Sequence, residues 1–179
     1  MTNFLMTVSL LLLVPAGLLA QKSITVLPRV QATALQEFLT KNTDLEFLAE
    51  GRMDQKSLAS MRNSFGAQLK PYYRAGDFNR DGVLDFATIL VKKGPPSEDL
   101  GPGLATTHRY RHSLTVVIFN GQKGGGYRAA FVEKTSGPLV SFLNVTADKR
   151  KRLYFAVYET DEHFVMSPSA NGYVVESSQ

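Results

Sequence analysis

The stretch from Gly76 to Leu90 reads GDFNRDGVLDFATIL: oxygen-bearing side chains at alternating positions that run directly into an apolar segment. Asp77, Asn79 and Asp81 alternate, Asp85 follows four residues later, and Gly82 sits where a tight loop needs positive φ. Carboxylates this close repel one another unless a cation lies between them, and Ca²⁺ takes six to eight oxygen ligands in a flexible geometry. The spacing therefore predicts a calcium loop over residues 76–85. Asp77, Asn79, Asp81 and Asp85 would give side-chain oxygens, Val83 its main-chain carbonyl, and water the remainder. The alternative is a solvated Asp/Asn/Gly turn, since these residues favour turns for their own reasons. Such a turn does not ask for acids at every second position.

The end of the loop decides which kind it is. An EF-hand begins the same way but needs flanking helices and a bidentate Glu at the twelfth position. Counted from Asp77 that position is Thr88, inside the strand-favouring run FATILV. The pattern D-x-N-x-D-G-x-x-D running into a strand resembles instead the FG-GAP family, the calcium loops of integrin-type propeller blades and related secreted bacterial proteins. Phe65-Gly66 stands upstream, where the family has its Phe-Gly, and Gly94-Pro95 stands for its Gly-Ala-Pro. The resemblance spans residues 65–95 and implies a structural rather than catalytic Ca²⁺ on Asp77, Asn79, Asp81, Val83 and Asp85. It does not extend to a propeller, which needs at least four blades of about 40 residues. The chain has 179 residues and a single such loop.

Outward from the loop, residues 3–20 carry no charge and contain LLLV before Pro15, with a small residue at Ala20. This reads as a secretory signal peptide over residues 1–20, with a retained anchor as the alternative. Residues 21–179 then form a single domain in the secreted or periplasmic space, with no membrane span after cleavage. Extracellular calcium would fill even a weak site there. Cysteine is absent, so neither disulfide nor thiolate chemistry is available. The excess of 20 basic over 16 acidic residues is too diffuse for a nucleic-acid partner, which would concentrate charge on one face. The one dense run, 149–152 (KRKR), reads as a solvated turn before a strand, or as a contact for anionic lipid, polysaccharide or cell wall.

Residues 28–69 carry helical spacing. Val30, Ala34, Leu35 and Phe38 form one stripe, while Leu58, Met61, Phe65 and Leu69 form another behind an Asp54 N-cap. Pro71 forbids continuation. From Phe86 onward six short β-branched or aromatic runs follow, at 86–92, 113–119, 127–133, 139–143, 153–158 and 173–176. Two helices followed by strands predict an α+β fold, the helices packed on an antiparallel sheet of about five strands.

No G-x-S-x-G elbow is present. His108 and His112 stand four apart, but they lie in a loop entering a strand and lack a third ligand nearby. Asp161-Glu162-His163 reads as a turn. Two functional readings follow. The first is a secreted calcium-binding FG-GAP-like module with a binding or adaptor role, meeting a cell-surface or wall component through the Gly/Pro-rich loop 94–112. The second is a small extracytoplasmic hydrolase or hydrolase inhibitor whose site is scattered through the chain.

Overall fold

The computed structural model describes residues 27–147, 149–150 and 152–177. The leader read over residues 1–20 lies outside the described residues. Helix α1 (Arg29–Lys41) precedes strand β1 (Leu45–Phe47), and a short 3₁₀ turn (Glu50–Arg52) leads into α2 (Gln55–Phe65). Strands β2 (Tyr73–Gly76), β3 (Asp85–Lys92) and β4 (Glu98–Asp99) follow. A single helical turn α3 (Thr106–Arg109) then opens the long strand β5 (Tyr110–Gly121). The chain finishes with β6 (Tyr127–Gly137), β7 (Ser141–Val145), β8 (Leu153–Val157), β9 (His163–Ser169) and β10 (Gly172–Ser177).

The expected α+β class, two N-terminal helices on one antiparallel sheet of about five strands, is overturned. The described residues are mostly β, with ten strands in two antiparallel sheets. In the first sheet β3 lies between β5 on one side and β1 and β2 on the other, while β5 pairs along its length with β6 and at its start with β4. The second sheet is the meander β10-β9-β8-β7. Among the described residues β6 is hydrogen-bonded on its β5 side only.

The reason for a second sheet lies in the central strands. Residues 85–91 are buried without interruption, as are 114–119, so neither strand has a solvent face. A strand buried on both faces needs a layer on each side. Ala87, Ile89, Val91, Leu114, Val116 and Ile118 pack towards the second sheet and α2, meeting Leu58, Met61, Leu143, Phe155 and Met166. Phe86, Leu90, Val117 and Phe119 face the opposite way, onto Leu35 and Phe38 of α1. The Phe86 and Phe119 rings stack with centroids 4.5 Å apart, and Phe38 meets Phe119 edge-on. Buried Gln31 links this layer by donating to the Tyr127 hydroxyl and accepting from that of Tyr73.

Local signals set the helix ends. Asp54 caps α2, its Oδ2 accepting the Ser57 N–H at 2.9 Å, and Gly66 closes the helix at a φ of 104°. The Gly/Pro-rich segment after β3 is not structureless: it folds back so that β4 pairs with the start of β5, and Arg109 clamps Asp99 through two hydrogen bonds.

Candidate functional site

The loop 77–84 joins β2 to β3 across a hairpin. Its N–H groups turn inward onto its own side chains. Asp77 accepts from the amides of Asp81 and Gly82 at 3.1 and 3.0 Å, Asn79 Oδ1 accepts from Asp81 at 3.0 Å, and Asp81 Oδ1 accepts from Val83 at 2.8 Å. The Asn79 amide also donates to Asp81 Oδ2 at 3.0 Å. Arg80 and Gly82 take the positive φ values that the tight path requires, 63° and 82°.

Asp85 stands apart from the other three. It is fully buried, and its carboxylate accepts the N–H groups of Phe78, Asn79 and Gly121 at 2.8, 3.2 and 2.9 Å. Desolvation raises its carboxyl above the usual range, and the three backbone donors oppose that rise. Phe78 plugs the loop into the main core, its ring pressed so near Gly76 that a Cβ there would come within 2.8 Å of it.

The loop sits where the two sheets meet. On the first sheet Gly121, at the end of β5, approaches so closely that a Cβ would overlap the Leu84 carbonyl oxygen and lie 2.6 Å from Val83 Cγ1. On the second, Arg80 donates to the Arg150 carbonyl at 3.1 Å. Tyr173 of β10 reaches across and donates to Asn120 at 2.8 Å. Burial pushes the Tyr173 phenol up, and the charges of Asp85, Asp77 and Asp81 push it further. One hydroxyl thus feels three carboxylates.

The donor chemistry fits a hard divalent cation. A carboxylate offers about four lone-pair sites, so one that accepts one or two N–H groups keeps capacity for an ion. Among the described residues no three His, Cys, Asp or Glu side chains already stand together as a metal-holding group. Tyr173, Asn120 and Gly121 escaped the sequence reading because each is distant in the chain from the loop it touches.

Comparison with family models, curated proteins and solved structures returned no match. Function therefore rests on the geometry.

Two further concave surfaces lie away from the loop. A groove of about 510 Å³ runs over the outer face of the second sheet, lined by Phe65, Phe142, Tyr154 and Tyr158 with His163 and Glu159 at its margin. Glu159 is held at a φ of 62°, a strained conformation for a side chain of its size. His163 Nδ1 lies 2.8 Å from the Asp161 main-chain carbonyl. The second surface is a cleft of about 230 Å³ beneath the long loop, between the turn leading into α2 and the start of β5. It separates the two histidines read from the sequence. His112 lines this cleft and is buried, whereas His108 points to Glu159, with 3.9 Å between Nε2 and Oε2.

The far end of the long loop is tied to the turn between β8 and β9 by Arg111, which clamps Glu162 through two hydrogen bonds at 3.0 and 2.8 Å. In the basic run, Lys149 and Arg150 are exposed, and Arg152 pairs with Glu176 at 2.6 Å. No helix among the described residues is long and apolar enough to cross a membrane.

Proposed function

We propose that the chain is an extracytoplasmic calcium-braced binding module, the ion holding the 77–85 loop and taking no part in chemistry. The observation that carries this reading is the acidic hairpin itself, in which Asp77, Asn79 and Asp81 wrap the loop's own amides while buried Asp85 anchors its root. An ion there neutralises charge that otherwise opposes closure of the seam. Asp77, Asn79, Asp81 and Asp85 would hold it with the Val83 carbonyl, and binding would draw their oxygens together. The leader-like residues 1–20 support a secreted or periplasmic setting, where calcium is plentiful. The tethered loop 94–112 is the proposed contact surface for a cell-surface or wall component.

The test is a thermal melt in calcium and in chelator. Stabilisation should follow RT ln(1 + [L]/Kd), about 2.7 kcal/mol at a hundredfold excess over Kd. Asp81→Ala should abolish the difference. Identical melts in calcium and chelator would refute the reading.

A further inference from the structure

The cleft beneath the long loop carries an independent inference. Its wall includes His112, which is only 8% exposed and whose Nδ1 is sealed from solvent without a hydrogen-bond partner. A buried polar atom without a partner is rare and costly in a native fold. Turning the ring towards the cleft would break no hydrogen bond at that nitrogen.

The rest of the lining states what kind of molecule would supply the missing partner. The wall carries one cation, Arg52, and one anion, Asp54. Arg52 is already paired with Glu46, and Asp54 already caps α2. A net-charged ligand therefore gains nothing there: an anion faces Asp54, and a cation faces Arg52. The hydroxyls of Thr106, Thr107 and Tyr110 also line the cleft and have no hydrogen-bond partner among the described residues. A ligand that both gives and accepts many hydrogen bonds while carrying no charge matches this set. Leu139 and Val140 add an apolar patch on which C–H groups can lie. At roughly 30 Å³ per water, the volume corresponds to about eight waters, room for one small hydroxylated ring.

We propose that this cleft binds a neutral sugar unit of a glycan. The proposal gives the binding-module reading its ligand class, and it does not depend on the calcium loop. The chain has three histidines, so their ring signals can be followed separately by ¹H–¹³C NMR of the labelled full-length protein. Glucose, galactose, mannose and N-acetylglucosamine are titrated singly, each in calcium and in chelator, with inorganic phosphate and glycine as charged and zwitterionic controls. The expected result is a saturable shift of the His112 ring with at least one sugar and a small or absent shift with the controls. Tyr110→Phe and Thr107→Val, each removing one of the unpartnered hydroxyls, should each weaken that sugar at least tenfold without altering the circular dichroism spectrum. A His112 response to phosphate or glycine but to no sugar overturns the proposal, as does a silent His112 throughout. Sugar binding that persists in chelator, with no effect of calcium on the melt, would refute the ion and leave the sugar site standing.

Discussion

Gly121 donates its backbone N–H to Asp85 Oδ1 at 2.9 Å while lying too close to Leu84 to carry a side chain. The far end of β5 is thereby welded to the root of the acidic loop. Gly121→Ala must push the loop off the sheet, because the obstacle is backbone rather than a flexible side-chain tip. The expected cost is that of overpacking, about 1–3 kcal/mol, read as a lower midpoint in urea.

Asp85 serves three N–H groups from inside the core, and two of them, Phe78 and Gly121, are otherwise buried. Asp85→Ala leaves those donors without an acceptor, at roughly 1–3 kcal/mol for each buried one. Asp85→Asn keeps an amide oxygen and should fall between wild type and alanine. Chemical denaturation in chelator measures this structural share free of any ion. An alanine variant as stable as wild type would show that water serves the donors equally well.

Tyr173 joins the second sheet to the first through one hydroxyl. Tyr173→Phe removes its bond to Asn120 and should cost about 1 kcal/mol. Calcium in the loop should also lower the Tyr173 phenol, whose rise owes part to three carboxylate charges. Ultraviolet titration of tyrosine in calcium and in chelator reads that shift, with Tyr173→Phe identifying the signal.

Burial, and after it the charge of Arg52, lowers the His112 imidazole below its ordinary value. The folded state therefore holds fewer protons at this site than the unfolded chain does between the depressed value and about 6.5. Stability should fall as the pH drops below about 6.5, and the loss should be complete once the pH lies below the depressed value. His112→Gln should flatten that limb of the profile in melts taken from pH 7 to pH 5.

Much of this layout was written in local patterns. The stripe of Val30, Ala34, Leu35 and Phe38 falls in α1, Asp54 caps α2, and the runs after Phe86 all contribute to strands. The missed strands lacked a signal of their own. β2 is four residues between Pro71 and the acidic loop, and β9 ends in Ser-Pro-Ser, which reads as a turn. The second sheet did leave a trace. FATILV and LTVVIF do not alternate, whereas LYFAV alternates between buried and half-buried positions, so the first two needed cover on both faces. For the loop, the acids were legible because they fall close together in the chain at regular spacing. Their surroundings depend on partners 35 residues or more away, and no window of sequence displays those.

The lone hydrogen-bonded neighbour of β6 has a consequence for how the molecule behaves in company. Among the described residues no strand is hydrogen-bonded along the other edge of this eleven-residue strand, an invitation to any other extended segment. Arg128 and Lys134, both exposed on that strand, place positive charge along the margin, so two copies approaching edge to edge meet like charge first. Neutralising both would remove that first repulsion and leave the margin open to a second copy.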